Sequence, residues 1–258
     1  MVKKTSSKKG ERLNKILALA GVASRRRADE LISQGLVTVN GRKETRLGSR
    51  AAWGVDAIAV NGHPIPGPPK KIYLMLNKPF GYVSTLRDPE GRPIVRDLIR
   101  RIEERIYPVG RLDFDTQGLL ILTNDGELSY RLMHPKFRIP RTYKVIIGGS
   151  ISDASVEQLK KGIQLDDGPT GPARLMVINR QQKRSVVRIT TFEGRSREIR
   201  RMFEAMGHKT LQLIRIGYGS LQLGDLKVGK YRYLKDAEVK SLRSSVGLNE
   251  PRPPRKRP

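Results

Sequence analysis

The chain contains no cysteine, only three histidines and no long apolar run. Without cysteine there can be neither a disulfide nor a thiolate metal site. No apolar stretch approaches the roughly 20 residues of a membrane span, and no apolar segment follows the basic N-terminus as a secretory signal requires. The histidines (His63, His134 and His208) are far apart in sequence, so we predict structural roles for them rather than a metal cluster. A cytoplasmic protein without a membrane partner is the expectation.

Acidic residues are scarce relative to basic ones. The 258 residues include 51 Lys and Arg against 25 Asp and Glu, which gives a net charge of +26. Self-repulsion on that scale opposes compaction, so a polyanionic partner explains the composition better than solubility does. Nucleic acid fits best, because each phosphate that a protein neutralises releases counterions and adds affinity. A generically basic surface is the alternative.

The length suggests two domains, and the composition changes along the chain. We predict a basic tail, a small helical and hairpin module, a proline-rich linker, a larger sheet domain and a second basic tail, at residues 1–10, 11–62, 63–71, 72–244 and 245–258. The tails cannot bury enough apolar surface to offset the entropy of ordering, so we expect them to be disordered. They either follow phosphates or are passive solvated ends.

The small module begins with two short helices. Apolar residues at helical spacing predict a helix over 12–20, and Ser24 is placed to cap a second helix that ends at Gly35. Alternating valines then lead into the turn Asn40-Gly41, which is typical of a hairpin. Three consecutive arginines at a helix start oppose the helix dipole, a cost that phosphate binding would compensate. The basic residues outside the apolar stripes are Lys15, Arg25, Arg26 and Arg27. A solvated charged face is the alternative.

After residue 70 the pattern changes to longer strands separated by helices. The strand-like runs are 72–77, 118–123, 142–148, 173–179, 185–192, 210–216 and 231–234. The helical runs are 94–101, 126–133, 153–161, 198–206 and 235–242. Because the strands are not each followed by a helix, we predict an α+β fold whose sheet is mixed and largely antiparallel.

The densest polar signal is the run PVGRLDFDTQGLLILTNDG at 108–126. In an extended segment Arg111 and Asp113 project to the same side, while Leu112 projects into the core. A neighbouring guanidinium keeps a carboxylate ionised in a partly dry pocket, where it is a competent nucleophile. On spacing alone, a structural ion pair at a turn explains these residues equally well.

The same run matches the opening of a calcium-binding loop. Asp113, Asp115 and Gly118 occupy its first, third and sixth places. The twelfth place requires a bidentate Glu, and here it is Asn124. The intervening Leu-Leu-Ile-Leu also indicates a buried strand, so the sequence disfavours calcium binding.

The segment GRLDFDTQGLLILTNDGEL resembles the central motif of the RsuA family of ribosomal-RNA pseudouridine synthases. Three flanking segments agree with that family: LNKPFGY at 76–82, RTYKV at 141–145 and EGRSREIRRM at 193–202. Residues 11–60 resemble the S4-like RNA-binding module that is shared with a small-subunit ribosomal protein. With this module included, the resemblance covers residues 11–240.

The resemblance implies that Asp113 is the catalytic aspartate and that Tyr143 stacks on the target uracil. It further implies that Arg200 pairs with Asp113, and that Arg111 contacts a phosphate or holds the flipped nucleotide. The arginines nearby that would bind RNA are Arg195, Arg197 and Arg201. How the roles divide among these arginines stays open. The reaction needs neither a cofactor nor a metal.

The expected function is the isomerisation of one uridine in ribosomal RNA, free or in assembling subunits, by a monomeric enzyme. The large-subunit RNA is favoured over the small-subunit RNA. Whether Asp113 attacks the ribose C1′ or the base C6 stays open. A ribosome-assembly factor that only binds RNA is the main alternative, and the combination of Asp113, Arg111 and Tyr143 argues against it. A DNA-binding protein is the third interpretation.

Overall fold

A computed structural model of the chain describes residues 10–248, so the predictions for residues 1–9 and 249–258 lie outside the described residues. The chain divides into two compact units. In the described range the first comprises 10–71 with 102–105, and the second comprises 72–101 with 106–248. None of the helices between residues 10 and 248 is long and apolar enough to cross a membrane.

Within its described residues, the first unit holds two helices and six short strands. The helices are α1 (Leu13–Leu19) and α2 (Arg25–Ser33). The strands are β1 (Glu11–Arg12), β2 (Val37–Val39), β3 (Arg42–Glu44), β4 (Arg50–Ala51), β5 (Ile58–Val60) and β6 (His63–Pro64). Strands β3, β2, β5 and β6 form an antiparallel sheet in that order, and β1 pairs with β4.

Local sequence explains the elements of this unit. The Ser24 hydroxyl accepts a hydrogen bond from the Arg27 amide at 3.2 Å and caps α2, because the first amides of a helix lack partners within it. Asn40 and Asn61 adopt positive φ angles of 52° and 50° at the two hairpin turns, a conformation that asparagine tolerates. The apolar faces of both helices pack on the sheet around Leu17, which is fully buried.

Part of the segment that we predicted as a linker belongs to this sheet instead. Strand β6 pairs with β5 in the register Ala59↔Pro64. The Ile65 amide donates to the Ile58 carbonyl at 3.0 Å, and the Ile65 side chain packs on the core of the unit. Proline is compatible with β6 because this strand lies at the edge of the sheet.

Among residues 72–248, the second unit holds eleven strands, four α-helices and two 3-10 helices. The strands are β7 (Tyr73–Lys78), β8 (Tyr107–Pro108), β9 (Gln117–Thr123), β10 (Arg141–Gly148), β11 (Gln164–Leu165), β12 (Gly168–Pro169), β13 (Arg174–Arg180), β14 (Arg184–Thr191), β15 (Thr210–Tyr218), β16 (Leu221–Gln222) and β17 (Tyr231–Tyr233). The α-helices are α3 (Gly126–Met133), α4 (Asp153–Lys161), α5 (Glu198–Ala205) and α6 (Asp236–Ser245). The 3-10 helices are Val95–Ile99 and Pro135–Phe137.

The main sheet of the second unit has the order β13-β14-β10-β15-β9-β7-β17. Neighbouring strands are antiparallel except β15 and β9, which are parallel and register Ile214 with Gln117 and Arg215 with Gly118. Strand β9 is buried on both faces, because Leu119 and Leu120 project in opposite directions and neither is exposed. The predicted α+β fold with a mixed, largely antiparallel sheet is confirmed.

The helix predicted over 94–101 is instead a five-residue 3-10 helix, Val95–Ile99. Pro93 precedes it, and the Asp97 carboxylate accepts the Ile94 amide at 3.1 Å. Both ends are anchored by buried side chains, Val95 and Ile99. Since 3-10 geometry rarely extends beyond a few residues, the apolar spacing here gives a short anchored turn.

Gly118 permits the close approach of β9 to β15. Its φ angle is 107°, and a Cβ atom built on it would lie 2.2 Å from the Arg215 carbonyl oxygen. Any other residue would therefore have to push the two strands apart. The parallel pairing at the centre of the sheet depends on glycine at this position.

We predict that Gly118→Ala lowers the free energy of unfolding by about 2–4 kcal/mol, because strain at positive φ adds to the steric overlap. Chemical denaturation followed by circular dichroism measures the change. Gly224→Ala is the matched control, since Gly224 also has a positive φ (56°) but no atom within 4 Å of its added Cβ. We expect the control to lose about 1 kcal/mol. Equal losses in the two variants would contradict the close-approach argument.

Candidate active site

An open cavity of about 880 Å³ lies in the second unit. Asp113 and Arg111 line it, and Tyr143 and Leu213 contribute from neighbouring strands. The described residues that line it include six arginines and three acidic residues: Arg111, Arg138, Arg141, Arg195, Arg197 and Arg215, with Asp113, Glu193 and Glu198. A polar rim with apolar walls is typical of a ligand site, and the excess of cations favours an anionic ligand.

The segment that carries Asp113, residues 109–116 (the aspartate loop), is fixed through its backbone. The Ser84 hydroxyl donates to the Leu112 carbonyl at 2.8 Å and accepts from the Leu112 amide at 3.0 Å. The Gly81 amide donates to the Phe114 carbonyl at 2.9 Å. The loop before Pro93 is thereby attached to the aspartate loop on both sides of Asp113.

Three further carbonyls of the aspartate loop are also bonded. The Asp113 carbonyl accepts the Thr116 amide at 3.0 Å, and the Asp115 carbonyl accepts Arg200 Nη2 at 2.8 Å. The Thr116 carbonyl accepts Lys78 Nζ at 2.8 Å. Every carbonyl from Leu112 to Thr116 therefore has a donor, and four of the five donors come from distant parts of the chain. Such a loop is rigid, which is what a reactive side chain on it requires.

The carboxylate of Asp113 itself is left available. It is half-buried at the cavity wall, and no ion pair within 4 Å joins it to a cation among residues 10–248. The pairing that we expected between Arg200 and Asp113 is not made. Arg200 Nη2 instead lies 3.3 Å from the Asp115 carboxylate, because the turn at 113–116 directs Asp115 toward α5.

Lys78 is a fully buried cation beneath the aspartate loop. Burial lowers the pKa of its ammonium to about 8, although Asp113 and Asp115 favour the charged form. Besides Thr116, its Nζ donates to the Pro79 carbonyl at 3.0 Å. Lys78 was not among the residues predicted from the sequence. Its position at the end of an apolar strand was the available signal, because a lysine is rarely buried without a specific role.

Tyr143 lies on β10 with its side chain 9% exposed and part of the cavity wall. It is registered with Ile189 on one side and Arg215 on the other. A register shift between Thr142 and Tyr143 changes the direction of the strand there, as bulges beside active sites commonly do.

Two arginines of the cavity, one buried and one half-buried, were missed by sequence reasoning. Arg215 is 2% exposed, donates Nε to the Leu119 carbonyl at 2.7 Å and stacks over the Tyr218 ring at 4.9 Å. Arg141 donates to the Glu193 carbonyl at 2.9 Å and lies 5.4 Å from the same ring. Arg215 interrupts an apolar strand in the sequence, and that interruption was the available signal.

The remaining arginines predicted to bind RNA are placed differently from one another. Arg195 lines the cavity but donates to the Gly168 and Pro169 carbonyls. Arg201 lies outside the cavity and forms a bidentate pair with Asp167 at 2.8 and 3.0 Å. Arg197 pairs with Asp115 at 3.3 Å and keeps half of its side chain exposed.

In the first unit, four basic side chains were predicted to bind RNA. Lys15 pairs with Glu11, and Arg27 pairs with Glu30. Arg25 and Arg26 are exposed at the start of α2 and make no ion pair with any residue between 10 and 248. These two guanidinium groups are the ones most available to a phosphate.

Glu198 brings a second titratable group to the cavity. Its side chain is 6% exposed at the start of α5. Burial, with a contribution from the neighbouring Glu193 carboxylate, raises its pKa to about 7. Glu193 is itself held by the Gly171 amide at 3.1 Å and by Arg195 at 2.9 Å.

Among residues 10–248 no three His, Asp or Glu side chains are grouped as a metal would require.

We predict that Glu198→Gln removes a pH dependence of stability. Because the pKa is raised, the folded protein retains a proton that the unfolded chain releases between about pH 4.5 and 7. Wild-type stability therefore falls as the pH rises through that window. The variant should match the wild type at pH 5 and exceed it by roughly 1–2 kcal/mol at pH 8. Melting temperatures at both pH values provide the test. Glu204→Gln, which changes an exposed carboxyl of the same helix, is the control, and a similar effect there would contradict the assignment.

Comparison with known proteins gives concordant results. Residues 72–205 match the RNA pseudouridylate synthase family, and residues 11–51 match the S4 domain. The ribosomal large subunit pseudouridine synthase B of Bacillus subtilis is 45% identical over 236 residues, which cover 91% of this chain and 96% of that protein. The protein of the same description from Pasteurella multocida is 40% identical over 93% of this chain and 71% of its own length.

A solved structure agrees with these relatives. A crystal structure of a pseudouridylate synthase superposes with a TM-score of 0.64 and 30% sequence identity, over 90% of this chain and 99% of the other. The family resemblance of the aspartate-loop motif and of the N-terminal module is thereby confirmed. The chain belongs to the RNA pseudouridylate synthase family and is an RNA pseudouridine synthase that carries an S4 domain.

Proposed function

We propose that this enzyme converts one uridine of the large-subunit ribosomal RNA to pseudouridine, with Asp113 as the nucleophile. The reaction breaks the N-glycosidic bond, turns the base and reattaches it through carbon, so substrate and product have the same atoms. The available Asp113 carboxylate on a rigid loop, at the wall of a cation-rich cavity, is the observation that carries the proposal.

The cavity wall supports a division of roles. Asp113 makes the covalent bond to the uridine, at C1′ or C6, because its oxygens are not engaged by a cation. Tyr143 stacks on the uracil, which has to leave its own stack to enter a cavity. Arg111, exposed at the rim, contacts a phosphate of the flipped nucleotide. Arg200 acts indirectly, because it holds the Asp115 carbonyl next to the nucleophile.

The S4 domain supplies affinity for folded RNA in this proposal. Arg25 and Arg26 neutralise phosphates. Lys15 and Arg27, on α1 and α2, add to the positive electrostatic potential there. Arg195, Arg197 and Arg201 serve the same purpose near the cavity. Unstacked loops and bulges present the uridine at least cost, either in free RNA or in an assembling subunit.

The large-subunit RNA is favoured because two relatives with more than nine-tenths of this chain aligned are described as large-subunit enzymes. A protein that only binds RNA would need none of the backbone bonds that fix the aspartate loop around an unpaired carboxylate. That arrangement favours catalysis over a purely architectural role. Mapping of pseudouridine in both ribosomal RNAs from a strain that lacks the protein identifies the substrate.

We predict that Asp113→Asn abolishes conversion while RNA binding changes little. The amide keeps the shape of the carboxylate but is not nucleophilic, so the loss should be on the order of 10³-fold or more. Single-turnover assays on ribosomal RNA measure the rate, and filter binding measures affinity. Asp115→Asn is the matched control and should retain measurable conversion, since Asp115 orients Arg197 and Arg200. Wild-type conversion by Asp113→Asn would refute the nucleophile.

We also predict that Arg25→Ala combined with Arg26→Ala weakens RNA binding without altering the rate at saturating RNA. Loss of two phosphate contacts should reduce the slope of log affinity against log salt by about two. Titration at several salt concentrations gives that slope. Lys227→Ala combined with Lys240→Ala removes the same charge from exposed sites of the catalytic unit and serves as the control. Equal slopes in both double variants would show that the effect is one of net charge alone.

A further inference from the structure

Two exposed phenylalanine rings meet beside the aspartate loop. Phe80 follows β7 and is 58% exposed, and Phe114 lies within the loop and is 44% exposed. Their ring centroids are 6.1 Å apart, and their planes are inclined by 55°. All five phenylalanines of the chain fall within the described residues, and the other three are buried or half-buried. The exposed pair is therefore confined to the immediate neighbourhood of Asp113.

The backbone segments that carry the two exposed rings are joined by hydrogen bonds. The Gly81 amide, next to Phe80, donates to the Phe114 carbonyl at 2.9 Å. Lys78 Nζ joins the same two segments, because it donates to the Pro79 and Thr116 carbonyls at 3.0 and 2.8 Å. The two backbone segments cannot move apart without breaking these bonds, so the attachment points of the two rings stay adjacent. A rigid aromatic surface binds a ligand at a small cost in entropy.

The two neighbours of Phe114 in the sequence line two different cavities. Asp113 lines the first cavity, while Asp115 lines a second one of about 540 Å³ together with Arg197, Arg200 and Lys209. Phe114 is the residue between these two aspartates. A nucleic-acid strand with one nucleotide in the first cavity and a phosphate at the cations of the second would carry its neighbouring nucleotides past Phe114.

The chemistry of the rings identifies what they bind. The protein carries a net charge of +26, which favours a polyanionic partner; nucleic acids are polyanions with planar apolar faces, and the family of this enzyme acts on RNA. When a nucleotide flips out of its stack, the adjacent base loses a stacking partner. Aromatic side chains provide a substitute surface that accepts any base. We propose that Phe80 and Phe114 form a stacking platform for the nucleobase adjacent to the target uridine. This inference rests on the proposed function.

A double-mutant cycle between protein and RNA tests the platform. The Asp113→Asn variant is titrated with a ribosomal-RNA fragment that contains the target uridine, and with fragments that are abasic at the nucleotide 5′ or 3′ of it. We expect one abasic substitution to weaken binding on the order of tenfold. The same substitution should have little effect once Phe80→Ala and Phe114→Ala are combined. Equal losses in both backgrounds, on both sides of the uridine, overturn the proposal.

Two further substitutions separate stacking from general apolar contact. Phe114→Trp should retain the affinity for the intact fragment. Phe114→Leu should lower that affinity on the order of tenfold, because leucine offers no aromatic face for stacking. Tyr233→Ala is the matched control, because Tyr233 is an equally exposed aromatic residue (57%) on β17, at the edge of the sheet. Wild-type affinity in Phe114→Leu would refute a stacking role.

Failure of the stacking platform can be distinguished from failure of the proposed function. Conversion of the intact fragment by the wild-type protein is measured in parallel. If the wild type makes no pseudouridine in either ribosomal RNA, the proposed function fails. If it does so and no coupling between the phenylalanines and the flanking base is found, only the platform fails.

Discussion

The backbone contact between β9 and β15 determines where every other part of the site lies. The two strands run parallel and touch at Gly118 and Arg215, so closely that no side chain fits between them. Gly118 is two residues beyond the end of the aspartate loop, and Arg215 projects into the cavity. The loop consequently emerges at a fixed height above the sheet, opposite Tyr143 on β10.

Cationic side chains, rather than a local ion pair, fix the aspartate loop and the strand β9 that follows it. Lys78 binds the Thr116 carbonyl, and Arg215 binds the Leu119 carbonyl. Arg200 binds the Asp115 carbonyl. Lys78 and Arg215 bind carbonyl oxygens and form no ion pair within 4 Å among residues 10–248, whereas Arg200 also lies 3.3 Å from the Asp115 carboxylate. Part of the large basic excess of the chain therefore has a structural role within the protein.

Much of the fold was predictable from the sequence, and several residues of the candidate site were predicted to lie near one another. The aspartate loop, the strand that follows it and the apolar stripe of α5 are local patterns, and Tyr143 came from a family motif. The partners of the loop were not predictable, because Ser84, Lys78 and Arg200 are brought to it by pairing between strands far apart in sequence. For the same reason, the sequence could not show that Arg200 lies against Asp115 rather than Asp113. Asp113 and Asp115 are two residues apart, and only the turn between them decides which one meets the guanidinium.

The donors to the aspartate loop come from residues 78 to 84 and from residue 200, and the strand that supports it ends at 218. During synthesis the S4 domain therefore emerges from the ribosome long before the site can be assembled. A growing chain of this kind can bind RNA early but can modify it only after nearly the whole catalytic unit has been made. The surroundings of Asp113 are in that sense a late product of folding, since they are complete only when Arg200 and the last central strand of the sheet are in place.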